Sequence, residues 1–196
     1  MSSATQHRST GPFLDRTTLI EAAADLADSG GWNELTLSRV ALVVGRHVSS
    51  LYSHVDGLDA LRRDIAVLSV TELADVVWEA TVGRSGTDAL TAIAEAERNF
   101  ARAHPGRMAA LRSHLGAQDQ EFDEQAKRIA LPIRTVLASF GLDDRQVVVA
   151  HRVFSAAVRG LIEPGTPLGA AEDDAALRAT VELFGTALES GNWPRI

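Results

Sequence analysis

The chain has 196 residues, 45% of them hydrophobic and 23% charged, with no cysteine and a formal net charge of -7. That is enough apolar material for a core in one large or two small domains, and it excludes disulfides and thiolate metal sites. The overall acidity argues against indiscriminate nucleic-acid binding, which comes from neutralising phosphates. No window approaches the roughly 18 uninterrupted apolar residues of a membrane span. The opening MSSATQHRSTGP lacks the apolar h-region of a signal peptide. A soluble cytoplasmic protein is therefore expected. Lys127 is the one lysine, and the other basic residues are arginine. With so much alanine and valine this reads as codon bias, so arginine abundance alone carries no function.

Nearly every long segment has helical periodicity, and period-2 alternation is absent, so an all-α fold is predicted. A first helix runs from about Thr18 to Asp28, with Leu19, Ala22, Ala23, Leu26 and Ala27 on one side and Gly30-Gly31 at its end. Thr36 is a good N-cap for a second helix, about 37–44, closed by Gly45. A third occupies about Val48 to His54. A fourth starts near Gly57 and carries Leu58, Leu61, Ile65, Leu68, Leu73 and Val76. The GRSGT stretch at 83–87 breaks the pattern and marks a boundary. Five helices follow, at about 87–103, 105–112, 118–140, 143–163 and 173–190. His104-Pro105-Gly106 separates the first two, Pro132 is a candidate kink in the third, and EPGTPLG at 163–169 is a loop.

The chemistry concentrates at residues 35–55, where there is no acid while Arg39, Arg46, His47 and His54 are present. An acidic body with an acid-free tip can still bind DNA, and its acidity limits non-specific sticking. Helix two, Gly45 and helix three have the spacing of a helix-turn-helix. Val40 and Val44 must face the first helix, Ala41 must be small where helix three crosses, and Gly45 permits a tight turn at positive φ. Leu51 must plug helix three into the core, with Val55 closing its far end. Ser49, Ser50, Tyr52 and Ser53 are then left free to meet a major groove.

These residues resemble the TetR family of transcriptional regulators. The resemblance rests on T-L-x-x-V-A-x-x-V-G-x-x-x-x-S-L-Y-x-H-V at 36–55, D-A-L at 59–61, and the A-A-x-x-L-A-x-x-G pattern of helix one. It covers roughly residues 17–68. It implies an all-helical homodimer with an N-terminal three-helix domain on operator DNA. The larger C-terminal helical domain would bind a small effector and dimerise. Expected domains are a disordered arm at 1–14, the helix-turn-helix domain at 15–62, and an effector-binding and dimerisation domain at 63–196.

Carried over by position, the DNA contacts implied are Ser38 and Arg39 of helix two and Val48, Ser49, Ser50, Tyr52 and His54 of helix three. Thr36 would cap helix two and offer its amide end to a phosphate. Tyr52 and His54 resemble phosphate contacts, and Arg39 a phosphate or guanine contact. Val48 would meet a thymine methyl. Two positions depart from the family. Arg46 stands where an apolar residue is usual, and Leu58 where a phosphate-binding lysine is usual. Arg46, or Arg8 and Arg16 of the arm, would have to supply the missing charge. His47 reads equally as a surface turn residue or a DNA contact, and Arg62 and Arg63 read as a solvated face.

In the later half, RQVVVAHRVFSAAVRGLIEPG is apolar nearly all round, and AALRATVELFGTALESG offers a second stripe. Gly160 and Gly185 would allow close helix approach, and these two helices of each subunit are expected to form a four-helix dimer interface. H-P-G at 104–106 and V-R-G-L-I-E at 158–163 resemble the Trp-His-Gly-type C-terminal domain, with Val158 and Arg159 replacing its Trp and His.

Met108, Leu111, His114, Phe122, Ile129, Phe154 and Val158 are candidates to line an apolar effector cavity. Arg112, Gln118 or Arg152 would be polar orienters, and each residue also reads as plain core packing. The implied partners are double-stranded operator DNA, a small effector and a second copy of the chain. No HExxH, Gly-rich phosphate loop, GxSxG or metal-type histidine pair occurs, so no catalytic residue, metal or cofactor is expected and the chain does not read as an enzyme. The acids of DQEFDE at 119–124 read as a solvated helix start. The function predicted is a sequence-specific DNA-binding regulator, a repressor released from a palindromic operator by an effector. The alternative is a helical dimeric ligand-binding or interaction protein that has lost strong operator binding.

Overall fold

The computed structural model describes residues 14–162 and 169–194. The expected disordered arm with Arg8, apart from Leu14, and the 163–169 loop, apart from Gly169, lie outside the described residues. Among the described residues there are helices and no strand. They are α1 (Arg16–Gly30), a 3-10 turn (Trp32–Glu34), α2 (Leu37–Val43), α3 (Val48–Leu51), α4 (Leu58–Thr81), α5 (Gly86–Ala103), α6 (Pro105–His114), α7 (Gln120–Ala138), α8 (Asp144–Ile162) and α9 (Ala170–Glu189). Local chemistry accounts for most boundaries. Asp15 caps α1, accepting from the Thr18 amide at 2.8 Å. Gly31, at φ 89°, takes the chain out of α1 in a conformation that favours glycine. α7 runs unbroken through Pro132.

The helix expected over Val48 to His54 is shorter: α3 is one turn, and a hydrogen-bonded turn carries the chain on. The His54 amide donates to the Leu51 carbonyl at 2.9 Å and the Val55 amide to the same oxygen at 3.0 Å. The helix ends early because Val55, 4% exposed, must tuck under the domain before Gly57, at φ 103°, starts α4. The sequence reading also missed the 3-10 turn, whose three residues show no helical repeat.

Two apolar clusters organise the molecule, and α4 runs through both. One gathers Leu19, Leu35, Val40, Leu51, Leu61 and Ile65 with Ala110 of α6 and Phe122 of α7. The other joins Leu73 and Val77 of α4 to Leu90, Ile93, Phe100, Ile133, Leu137, Phe154, Leu177 and Val181. Leu111 and Ile129 touch both. The 24 residues of α4 span about 36 Å at 1.5 Å per residue, so the helix acts as the shaft between the two.

Polar side chains expected to be solvated take structural roles instead. Arg63 clamps Asp119 (Nε–Oδ2 2.7 Å) and Glu121 (2.7 Å), tying α4 to the start of α7. That neighbour holds the Asp119 carboxyl well below its usual range. Arg62 lies over the Trp32 ring, 5.5 Å from its centroid. The two glycines expected to serve helix packing also divide. A side chain on Gly185 would overlap Thr87 of α5, so this glycine serves packing inside the chain. Gly160 faces open space.

Candidate nucleic-acid interface and cavity

The interface is built on one corner. Thr36 caps α2, its hydroxyl accepting from the Arg39 amide at 3.3 Å. At the other end Gly45, at φ 63°, makes a Schellman turn: its amide donates to the Leu42 carbonyl at 3.3 Å and the Arg46 amide to the Ala41 carbonyl at 2.9 Å. Val40, Ala41 and Leu51 are buried under this corner, Leu51 completely. With Leu51 pointing inward, the helical repeat must turn Ser49, Ser50 and Tyr52 outward. All three are exposed, as are Thr36, Ser38 and His47; Tyr52 keeps 58% of its surface. Arg39, Arg46, Val48 and His54 are half-buried at the edge of the same face.

Two charges near this face are already engaged, and the place of a third is apolar. The Arg39 guanidinium donates to the Glu34 carbonyl at 2.8 Å, which folds it back against its own domain. Arg16 is paired with Asp64 at 2.9 Å across α1 and α4, so it anchors the start of α1. Leu58, in the place of the expected lysine, packs against the N-terminal core.

Beneath the N-terminal unit lies a cavity of about 170 Å³ between α4, α5, α6, α7 and α8. Met108, Leu111, Phe122 and Ile129 line it, with Arg112, as the sequence suggested. Three other candidates do not line it. His114 pairs with Asp119 at 2.9 Å and packs edge-on to Phe122. Phe154 is closed into the second core against Phe184, and Val158 is fully buried there. Their spacing on the helix marked them as apolar, but their angle around α8 aims them at α9. Nor do the other proposed orienters line it: Gln118 lies on a surface groove near Asp119, and Arg152 on an adjoining groove.

The sequence reading missed Glu97, His151, Ser155 and Arg159. Glu97 left a signal. It stands four residues after Ile93 and three before Phe100, a charge on the apolar stripe of α5. Burial pushes its carboxyl up to about 7, partly offset by Arg159. It is half-buried and lines the cavity. Burial also lowers the His151 pKa, helped by Arg134 and Arg159.

Also missed was a polar bolt between the two units. Arg107, 5% exposed on α6, pairs with Asp28 and Asp25 of α1 (2.9 Å to Asp25) and with Glu72 of α4 (2.9 Å). The Arg107 amide donates to Asp28 at 2.8 Å, and His104 Nδ1 lies 3.0 Å from the same carboxylate. Gly106 sits directly on the α1 backbone at Ala27 and Asp28, where any side chain would collide. Four cavity-lining residues, Met108, Leu111, Arg112 and Leu115, follow on α6 or just past its end.

Comparison with known proteins agrees with this geometry. Residues 90–181 match the family described as Tetracyclin repressor-like, C-terminal domain, a range that includes both the H-P-G and V-R-G-L-I-E stretches. The chain is 35% identical over 150 residues to the HTH-type transcriptional regulator Rv0681 of Mycobacterium tuberculosis, covering 76% of this chain and 69% of that protein. Among solved structures, a TetR variant from Acinetobacter baumannii in complex with minocycline superposes with a TM-score of 0.68 at 19% identity. That match covers 93% of this chain and 100% of the other. AibR, solved with isovaleryl coenzyme A and operator DNA, superposes with a TM-score of 0.67 at 14% identity over 87% of this chain and 97% of that one. At these identities the two structures speak for the fold alone.

Proposed function

The chain belongs to the TetR family of helix-turn-helix transcriptional regulators, and from that premise we propose that it is a repressor released from a palindromic operator by a small effector. The observation that carries this is the acid-free face of α2 and α3, exposed on one side and fixed from behind by the fully buried Leu51. Val48, Ser49, Ser50, Tyr52 and His54 would meet the major groove and its phosphates, with Thr36, Ser38, Arg46 and His47 at the flanks. Arg39 would join them by exchanging the Glu34 carbonyl for a phosphate.

Dimerisation would use α8 and α9, where Val153 (46% exposed), Gly160 and Leu183 (73%) leave an apolar, partly small-residue face. Two recognition helices would then stand about 34–36 Å apart, one turn of duplex. An effector in the cavity would push on α6. Gly106 and Arg107 tie α6 to α1, so the push would tilt the helix-turn-helix as well as α4. It shifts the equilibrium only by its differential affinity for the two forms.

The test is footprinting on the DNA upstream of its own reading frame, with and without candidate effectors. Protection of a two-fold site, lost when effector is added, is the expected result. No retention of DNA even at low salt would favour the second reading, a helical dimeric ligand-binding protein without strong operator binding. That reading draws on Leu58 in the core and on Arg16 and Arg39 held by their own domain.

A further inference from the structure

The cavity does not end at Arg159. His151, Ser155 and Arg159 line both the cavity and an open groove between α7 and α8, and that groove also holds Arg134 and Arg152. Among the described residues none of these three guanidinium groups has an ion pair or hydrogen bond. Arg16, Arg63, Arg98, Arg107 and Arg128 are all matched to carboxylates. The groove has no acid along it, in a chain with 26 Asp and Glu and a net charge of -7. It lies on the α7 side of α8.

We propose that the cavity and groove together form one site for an amphipathic anion, with an apolar group seated among Leu73, Met108, Leu111 and Phe122 and a carboxylate or phosphate head held by Arg134, Arg152 and Arg159. The assignment rests on reading the C-terminal body as the effector-binding part. Size limits the apolar group. An engineered cavity of about 150 Å³ holds benzene, so about 170 Å³ suits a phenyl ring or a short branched chain. Charge selects the head. Arg134, Arg152 and Arg159 are exposed along the groove; guanidinium groups clustered there without counter-ions favour an anion, and their planar forks match carboxylate and phosphate oxygens.

Glu97 is the acid inside the site. It faces Arg159 and His151 of α8 and Arg112 of α6. Its raised pKa, about 7, leaves it partly protonated near neutrality. An anion beside it would raise that pKa further, so binding takes up a proton and weakens as pH climbs above about 7. A hydrophobic cation would show the opposite sign.

Calorimetry on the full chain with four probes of one size tests this: phenylacetate, phenyl phosphate, phenethyl alcohol and phenethylammonium. The expected result is that at least one anion binds about tenfold or more tighter than the alcohol, because hydrogen bonds to a charged group are stronger than those to a neutral one. Which anion wins distinguishes a carboxylate from a phosphate head. Arg152→Ala with Arg159→Ala should reduce it to the level of the alcohol, while Arg145→Ala, an exposed arginine elsewhere on α8, leaves it unchanged.

The proposal is overturned if the cation binds best and Glu97→Gln abolishes it. It is equally overturned if the alcohol matches the anions, if the double variant keeps full affinity, or if no probe binds. Operator footprinting run alongside separates the two readings. An anion that binds without releasing DNA keeps the site and sinks the effector role, whereas a cation that releases DNA keeps the regulator and sinks the site.

Discussion

The two ends of the molecule solve opposite packing problems. Under the helix-turn-helix the core is closed: Leu19, Val40, Leu51 and Leu61 are fully buried, and the one carboxylate buried beside them, Asp64, is paired with Arg16. In the C-terminal body the helices stop short of closing, leaving a cavity with an unpaired carboxyl in it. A surface that reads a duplex meets a partner of fixed shape, so a closed and stiff support serves it. A body that responds to a small molecule needs space and a balance that the molecule can tip. Leaving the Glu97 carboxyl in the cavity without an ion pair costs stability, and a ligand bound beside it changes its protonation.

Variants test this contrast, beginning with the junction. Arg107→Ala removes the cation from a cluster of three carboxylates and should destabilise the chain by about 3–5 kcal/mol. In whatever fraction folds, probe binding should survive while operator release is blunted; calorimetry and footprinting on one sample read both. Full release would show that α4 alone carries the signal.

Leu51→Ala opens a cavity in the closed region and should cost about 2–5 kcal/mol, seen as an early unfolding step by denaturant titration, with loss of operator binding. Tyr52→Phe should leave the melting temperature alone and cost binding about 0.5–1.5 kcal/mol, one hydrogen bond. Unchanged affinity would remove Tyr52 from the interface.

Glu97→Gln probes the open region through pH. The folded pKa, about 7, lies above the ordinary value of 4.5, so the native state holds a proton the unfolded chain has lost. The stability this contributes is complete below about 4.5 and disappears as pH rises through about 7. The variant should flatten that decline, and a Tm profile between pH 4 and 8 shows whether it does. The smallest effect is expected from Leu58→Lys, which should steepen the salt dependence of operator binding by about one unit. An unchanged slope would mean that no phosphate lies opposite that position.

The helix-turn-helix was legible because its determinants are local. Thr36 caps three residues ahead, Gly45 turns four residues after Ala41, and Leu51 meets residues already fixed by that turn. The same holds for the helices of the body, each of which follows from its own periodicity and the glycine, proline or aspartate at its ends. The cavity was half legible. Met108, Leu111, Arg112, Phe122 and Ile129 come from two neighbouring helices, whereas Phe154 and Val158 turn into the second core, the core-packing alternative. A wheel shows which residues are apolar together, not which neighbour they face.

Local interactions along the chain therefore decided that this is an all-α protein with an exposed, acid-free reading corner, because capping, turn geometry and side-chain periodicity act within a few residues. Only the packing of distant helices decided that Arg107 joins α6 to α1 and α4, that Asp119 belongs to Arg63, and that Glu97 faces a cavity opening onto three unpaired arginines. Such pairings depend on the rotation of each helix about its axis, which is fixed by every neighbour at once and written in no single stretch of residues.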